Sequence, residues 1–364
     1  MKKMEEYAKK KSSDKPKPDK VKKIKEVKVE IDENVKDVDE TRDPCSLIFI
    51  GHVDAGKSTI CGQLMYLMGS VDERTIAKYK QEAKDLGRDS WWLAYVMDSS
   101  KEEKEKGKTV EVGRATFKTP TKKYSVFDAP GHKNYVPNMI MGAACADFGG
   151  LVISARKGEF EAGFDQDGQT REHAQLAQSL GVKKLVIVVN KMDDQSCKWN
   201  KDRWEEIKNS LGPFLVKTGY REEDQYWVPI SGLTGHNMKD RLEKSHPCKW
   251  YNGPSLCEVL DSIPLENGDP NGPIRIPILD KMRDRGVMLF GKVESGTVHM
   301  GSKVTLMPNN IQCTVGNVYD GEMEAVKYAK PGENVMLRML QIEDDDLVNK
   351  GDVMCDREQV VPIS

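Results

Sequence analysis

The stretch that decides the fold is Ile48–Thr59, which has the sequence IFIGHVDAGKST. It contains the pattern G-x-x-x-x-G-K-S directly after an apolar run, and apolar residues recur at helical spacing behind it. A strand, a glycine-rich loop and a helix start are the context in which this pattern forms a phosphate-binding P-loop. Gly51 and Gly56 allow the backbone to curl, so that loop N–H groups and the helix dipole face an anion. A chance Gly-Lys turn is the alternative, but it does not account for the flanking strand and helix.

The side chains of this loop suit a nucleotide with a bound cation. We expect Lys57 to reach the β and γ phosphates and the Ser58 hydroxyl to join the shell of a Mg²⁺ ion. His52 is expected to shape the loop. The loop residues expected to bind the nucleotide are Val53, Asp54, Ala55, Gly56, Lys57, Ser58 and Thr59.

Length and composition limit the classes of protein to consider. At 364 residues the chain is long enough for two domains of ordinary size. No apolar run approaches the roughly 20 residues that a membrane span needs, and the N-terminus lacks the apolar core of a signal peptide. We therefore expect a cytoplasmic protein without membrane contact, and nothing requires more than a monomer. The eight cysteines form no C-x-x-C pair, which favours reduced thiols over disulfides or zinc sites.

The first 43 residues lack hydrophobic periodicity. Lysine dominates up to Lys28, and the balance turns acidic from Glu30 to Asp43. Such a segment cannot bury enough apolar surface to offset its ordering entropy, so we expect residues 1–43 to be a disordered arm. A lysine-rich arm can hold RNA phosphates electrostatically, and a solubilising tail is the alternative that the sequence leaves open.

Strand and helix patterns alternate from residue 44 to residue 264, which is typical of an α/β fold. This part is predicted to be an α/β P-loop domain with a mostly parallel sheet and helices on both faces, and the motifs below favour a GTPase. Residues 265–273 are rich in turn formers and are predicted to be a linker. Short strands separated by glycine turns follow, so residues 274–364 are predicted to form a small antiparallel β-barrel. The predicted helices lie at 72–106, 137–146, 170–180, 201–218 and 255–263, and the last predicted strand is 334–340.

The tetrapeptide NKMD at residues 190–193 follows a buried strand and predicts which base binds. The Asp193 carboxylate can accept two hydrogen bonds from the guanine N1–H and N2–H₂ groups, a donor pair that adenine lacks. Asn190 is expected to brace the neighbouring loops and the purine edge. The stem of Lys191 is expected to cover one face of the base. An ATP-dependent metabolic enzyme is the alternative, and it requires ATP to compete with GTP at Asp193.

A second loop is expected on the same base. Ser231, Gly232 and Leu233 follow another predicted strand, and the carboxyl ends of parallel strands meet at one edge of a sheet. The N–H groups of Ser231 and Gly232 are expected to close on the guanine O6, with Leu233 beside them.

The sequence DAPGH at residues 128–132 predicts a loop that senses the terminal phosphate. Asp128 is expected to hold Mg²⁺ through a water, and the Gly131 N–H to bond the γ-phosphate. His132 is expected to orient the attacking water or to stabilise developing charge, as a glutamine does in small GTPases. Thr109 is the candidate for the first switch, where its hydroxyl would complete the Mg²⁺ coordination. The alternative is that His132 is an ordinary surface or core residue, but this does not explain why it directly follows the D-x-x-G motif.

Three of these motifs together resemble those of the translational GTPases: GHVDAGKS at 51–58, DAPGH at 128–132 and NKMD at 190–193. Within that superfamily, four further runs resemble the eukaryotic class II polypeptide-chain release factors. They are GKTVEVGRA at 107–115, VISARKGEFE at 152–161, SGLTG at 231–235 and GKVESG at 291–296. The aminoacyl-tRNA elongation factor usually has Arg-Gly-Ile-Thr at its first switch, where this chain has KGKT at 106–109. Lys108 thus replaces an apolar residue that forms a gate there, leaving Val53 on the P-loop side.

The resemblance implies a GTP switch that works with a class I release factor on a ribosome stopped at a termination codon. It also implies a monovalent cation near Asp54. The family carries a third domain, another β-barrel, which makes the main stable contact with the class I factor. This chain ends at Ser364 before any such barrel, so weakened binding of that factor is expected. The alternatives are a ribosome-rescue GTPase, an aminoacyl-tRNA carrier, the GTPase subunit of sulfate activation and a nucleotide-dependent binding module with little turnover.

Overall fold

The computed structural model describes residues 35–97, 112–131, 136–165, 168–266, 268–283, 286–342 and 345–362. A six-stranded sheet occupies the first part, in the order β2-β3-β1-β4-β5-β6. All neighbours pair in parallel except the edge strand β2, which is antiparallel to β3. The strands are β1 (Asp43–Gly51), β2 (Gly113–Lys118), β3 (Lys122–Asp128), β4 (Phe148–Ser154), β5 (Leu185–Asn190) and β6 (Gln225–Pro229). The predicted, mostly parallel sheet is confirmed.

Helices cover both faces of this sheet, because side chains of a buried strand alternate between its two faces. Ile48 and Ile50 of β1 pack in one apolar cluster, and Leu47 and Phe49 pack in another. Helices α3, α5 and α6 contribute to the first cluster, and α1 and α7 contribute to the second. The helices are α1 (Lys57–Leu67), α2 (Glu73–Asp85), α3 (Val136–Cys145), α4 (Glu159–Phe164), α5 (Gln169–Ser179), α6 (Lys201–Thr218) and α7 (Leu256–Ser262).

A closed antiparallel barrel of six strands follows, in the order β10-β15-β7-β8-β14-β11, and the pairing of β10 with β11 closes it. The barrel domain that the glycine-punctuated strands predict is therefore confirmed. Its strands and their short companions are β7 (Arg275–Arg283), β8 (Val287–Lys292), β9 (Val298–His299), β10 (Lys303–Met307), β11 (Ile311–Tyr319), β12 (Ala325–Val326), β13 (Tyr328–Ala329), β14 (Asn334–Leu340) and β15 (Val353–Asp356).

The structure differs from the sequence predictions at short elements. Strand β15 has four residues and α4 has six, so neither offers enough residues to show a period, and neither was predicted. The helix predicted at 72–106 ends at Asp85, because Gly87 adopts a φ of 66° and the Arg88 N–H donates to the Ala83 carbonyl at 2.8 Å. A 3₁₀ helix follows at Asp89–Val96. The rest of that predicted helix lies outside the described residues.

Part of the predicted N-terminal arm lies against the barrel. The Lys36 N–H donates to the Ala325 carbonyl at 2.9 Å, and the Lys36 ammonium pairs with Glu324 at 2.5 Å. Short edge strand β12 offers the backbone groups for this contact. The expectation of disorder therefore fails for residues 35–42, whereas residues 1–34 lie outside the described part.

None of the helices in the described ranges is long and apolar enough to cross a membrane. All eight cysteines are buried free thiols.

Candidate nucleotide-binding site

The P-loop lies between β1 and α1, and its two glycines are required by close backbone approaches. Gly51 has a φ of 139°, and a Cβ there would lie 2.4 Å from the Val152 carbonyl oxygen. Gly56 has a φ of 97°, and a Cβ there would lie 2.4 Å from the Asn190 amide nitrogen. Residues other than glycine rarely adopt such φ values. The loop is thus fitted closely between β4 and the end of β5.

Lys57 is the buried cation of the loop. Its ammonium donates to the Gly51 carbonyl at 3.1 Å and to the His52 carbonyl at 2.8 Å. Burial lowers the pKa of Lys57, and the Asp128 and Asp54 carboxylates oppose that shift. An ammonium held by carbonyl oxygens inside the loop is available to a phosphate, which offers stronger, charged acceptors.

The motif around Asp128 lies directly on the P-loop. Asp128 is fully buried at the end of β3. A Cβ on Gly131 would lie 2.8 Å from the Lys57 ammonium and 2.9 Å from the Val53 nitrogen, so only glycine fits at this approach. The predicted catalytic His132 and the predicted switch residue Thr109 lie outside the described residues.

Asn190 joins the two loops that the sequence assigns to phosphate and base. Its amide group donates to the Ala55 carbonyl at 2.9 Å, and its carbonyl accepts from the Gly232 N–H at 2.8 Å. This is the bracing geometry that the sequence predicts for Asn190. The Ser231 N–H donates to the His236 carbonyl at 3.2 Å. Both amides predicted to reach the guanine O6 therefore have protein partners in this arrangement, because the loop closes on itself and on Asn190. Their contact with a guanine base stays a prediction.

A cavity of about 470 Å³ brings most of the predicted nucleotide residues together. Its wall includes Val53, Asp54, Gly56, Lys57, Ser58, Thr59, Gly131, Asn190, Lys191, Asp193 and Leu233. Ala55, Asp128, Ser231 and Gly232 do not line it. Hard oxygen ligands such as the Ser58 hydroxyl and a carboxylate beside the loop fit the preference of Mg²⁺.

The cavity is also lined by six residues that the sequence analysis did not predict: Ser90, Trp91, Ala94, Arg156, Glu159 and Asp194. The first three come from the 3₁₀ helix at Asp89–Val96. Arg156 and Glu159 follow directly after β4. Their position at the carboxyl end of a parallel strand was a signal that could have indicated them.

Glu159 is the centre of a polar network at this wall. Its carboxylate accepts from the Ser154 hydroxyl, the Lys191 ammonium and the Arg156 guanidinium, each at 2.7 Å. Burial raises the pKa of Glu159, but the hydrogen bonds from Lys191 and Ser154 outweigh it and leave the pKa below its usual value. The Lys191 ammonium also donates to the Asp54 carbonyl at 2.6 Å. Lys191 thus spans from the base loop to the P-loop in a charge-assisted contact.

Comparisons with known proteins agree with this geometry. A family model described as the elongation factor Tu GTP binding domain matches residues 43–279. The eukaryotic peptide chain release factor GTP-binding subunit of Candida albicans is 50% identical over 325 residues, which are 89% of this chain and 45% of that protein. The same subunit of Kluyveromyces lactis is 48% identical over 89% of this chain and 46% of that protein. These relatives confirm the resemblance that the motifs show.

The chain therefore spans about half the length of the curated relatives it matches. A solved structure of the S. cerevisiae Ski7 GTPase-like domain, bound to GDP and inorganic phosphate, is 20% identical with a TM-score of 0.70. That match covers 86% of this chain and 75% of the other, and it shows a shared fold.

Proposed function

The chain belongs to the elongation factor Tu GTP binding domain family, and on that premise we propose that it is a GTP-hydrolysing switch of translation termination. It would bind GTP or GDP with Mg²⁺ and act with a class I release factor on a ribosome stopped at a stop codon, as a cytoplasmic monomer. One observation carries the proposal: Lys57, which suits phosphates, and Asp193, which suits guanine, line a single cavity.

The P-loop would bind the phosphates and leave the base to the Asp193 loop. Lys57 would exchange its two carbonyl partners for phosphate oxygens, and Ser58 and Asp128 would hold Mg²⁺, directly and through a water. The bound cation would neutralise charge on the phosphates during transfer to water. A monovalent cation near Asp54 would add to that neutralisation.

Hydrolysis needs a group that orients water. His132 would do so from its place one residue after Gly131, and Thr109 would order the first switch when GTP is bound. A His132→Ala change is expected to lower kcat about 10²-fold or more while GTP affinity stays unchanged. Turnover equal to that of the unmodified chain would remove His132 from this role.

The termination role is supported by the relatives, whose name is the peptide chain release factor GTP-binding subunit. The lysine-rich arm up to Lys28 would add an RNA contact on the ribosome.

Nucleotide competition tests the base site. Unlabelled GTP and GDP should displace labelled GDP, whereas ATP should not. In Asp193→Asn, an amide donor replaces one carboxylate acceptor, so the affinity for GTP should fall about 10²-fold. The affinity for xanthine nucleotides should rise, because xanthine has a carbonyl where guanine has the N2–H₂ group. Asp194→Asn is the control, since Asp194 lines the same cavity but pairs with Arg156 at 2.8 Å. Equal displacement by ATP and GTP would contradict a guanine site.

A second assay separates the termination role from GTP hydrolysis. GTP turnover is measured with ribosomes alone, with class I factor alone and with both together. We expect both together to stimulate turnover most. A rate that both leave unchanged would remove the termination role and leave the GTPase assignment intact.

A further inference from the structure

Helix α5 contacts the start of the P-loop through two side chains that lie one helical turn apart. The Gly51 N–H donates to Nδ1 of His173 at 3.1 Å. The Val53 N–H donates to Oε1 of Gln169 at 3.2 Å. Residues four apart on a helix lie on the same face, so both acceptors approach the loop from one side. Two alternate amides of the loop are thereby held by one rigid element.

The helix that presents these acceptors is itself held firmly. Ala174 and Ala177 are fully buried in the core below the sheet. The Tyr220 hydroxyl donates to the Ala174 carbonyl at 3.1 Å. At the other end, a Cβ on Gly168 would lie 2.2 Å from the Gly163 carbonyl oxygen, so the first turn of α5 is packed against α4. The acceptors therefore have little freedom to follow the loop if it moves.

His173 is fully buried and neutral, because burial and the nearby Lys57 charge lower its pKa to about 3. Since Nδ1 accepts a hydrogen bond, the proton must lie on Nε2, and Nε2 has no hydrogen-bond partner among the described residues. A buried donor without a partner costs free energy. An apolar residue of similar size would avoid that cost, so the hydrogen bond to Gly51 is what the imidazole contributes here.

Gly51 is held from two sides. Its carbonyl accepts from the Lys57 ammonium at 3.1 Å, and its N–H donates to His173. If Lys57 turned to a phosphate, the carbonyls of Gly51 and His52 would lose this donor. The hydrogen bonds that the loop N–H groups donate to α5 do not involve Lys57 and would not be lost with it.

We propose that Gln169 and His173 are positioning residues that clamp the first turn of the P-loop, so that bound guanine nucleotide leaves slowly. The inference rests on the proposed function, since it assumes that the loop binds a nucleotide. Neither residue lines the cavity, so both act through the loop backbone and not on the phosphates themselves.

Substitutions at His173 separate the hydrogen bond from the packing. His173→Asn keeps an acceptor near the position of Nδ1, His173→Gln moves its amide towards the position of Nε2, and His173→Leu removes polar atoms altogether. Loss of one hydrogen bond corresponds to about a tenfold change. We expect labelled GDP to dissociate about tenfold faster from the Gln and Leu variants and within about twofold of the unmodified rate from Asn. Equal rates in the Asn and Leu variants would overturn the clamp.

Gln169 provides a second test at a less buried position. Gln169→Met removes the acceptor at similar size and is expected to raise the dissociation rate about threefold. Gln175→Met, on the exposed face of the same helix, is the control and should leave the rate unchanged. Equal rates for the two Met variants would contradict a role for Gln169.

Amide hydrogen exchange tests the clamp without nucleotide. In the peptide that covers the end of β1 and the P-loop, exchange should be faster in His173→Leu and Gln169→Met than in the unmodified chain. Unchanged exchange would overturn the clamp even if nucleotide binds. A folded chain that binds no guanine nucleotide, yet shows the faster exchange, would instead overturn the proposed function and keep the clamp.

Discussion

Lys292 of the barrel places its ammonium 2.5 Å from a carboxylate oxygen of Asp147, the residue before β4. The other oxygen of Asp147 accepts from the Ser46 N–H at 2.7 Å. The side chains of Lys292 and Asp147 are only 8% and 17% exposed. This pair therefore joins the barrel to the central strands of the GTPase sheet in a nearly dry setting.

Breaking this ion pair from one side should be costly. Lys292→Met keeps much of the side-chain volume but leaves a buried carboxylate without its cation, which costs about 3 kcal/mol in the free energy of unfolding. Urea titration measures the change. Lys350→Met is the matched control, because its partner Asp280 forms an exposed pair, and it should cost less than about 1 kcal/mol. Equal losses in the free energy of unfolding for the two variants would show that the buried pair stabilises the fold no more than the exposed pair does.

His173 gives the stability a predictable pH dependence. Its pKa is about 3 in the folded chain and about 6.5 in an unfolded one. Between these values the unfolded chain binds more protons, so the free energy of unfolding rises with pH and falls on acidification. The loss from this residue between pH 7 and pH 5 is about 2 kcal/mol.

His173→Asn removes that titration, so its free energy of unfolding should fall less steeply over the same range. Urea titrations of both proteins at several pH values measure the slopes. Parallel slopes would show that His173 does not stay neutral in the folded chain.

Local patterns in the sequence predict much of the fold and the site, and the reasons are visible in particular residues. The apolar run before Gly51 forms the central strand β1, which is buried on both faces and therefore consists of consecutive apolar residues. Lys57 and Asp193 each follow such a strand at a known spacing, and parallel strands bring their carboxyl ends together. Strand β14 and helix α6 have the predicted bounds, because seven and 18 residues are enough for a periodic pattern to show.

The remaining features depend on contacts between distant segments. The hydrogen bond that the Gly51 N–H donates to His173 joins residues 122 positions apart, and no local period encodes it. The engagement of the Gly232 amide by Asn190 likewise depends on how two loops close on one another. Such contacts follow from packing, which a pattern along one segment does not describe.

Trp91 should report nucleotide binding by its fluorescence. It lines the cavity, whereas Trp92 packs edge-on against Tyr66 at 5.6 Å and lies under the Lys80 ammonium at 4.6 Å. Energy transfer from tryptophan to a methylanthraniloyl-labelled GDP should therefore fall strongly in Trp91→Phe. Trp92→Phe is the matched control and should keep most of the signal. A larger loss in the Trp92 variant would place the nucleotide elsewhere.

Glu159 should stabilise the contact by which Lys191 joins its own loop to the P-loop. In Glu159→Gln the charge is lost, so the contacts from Lys191 and Arg156 become weaker neutral ones. We expect guanine nucleotide affinity to fall about fivefold, which corresponds to about 1 kcal/mol, since Lys191 still donates to the Asp54 carbonyl. Competition against labelled GDP measures the change.

Glu161→Gln on the same helix is the control for that change. Glu161 also accepts a charged donor, the Arg203 guanidinium at 2.8 Å, but it does not line the cavity. Its loss should affect stability, and Arg203 keeps a second carboxylate partner, Glu206, at 2.8 Å. Nucleotide affinity should stay within about twofold, because neither Glu161 nor Arg203 lines the cavity. If Glu161→Gln weakened binding as much as Glu159→Gln, the effect would come from α4 as a whole and not from the Lys191 contact. Unchanged binding in Glu159→Gln would mean that the Asp54 carbonyl alone is enough to hold Lys191 in place.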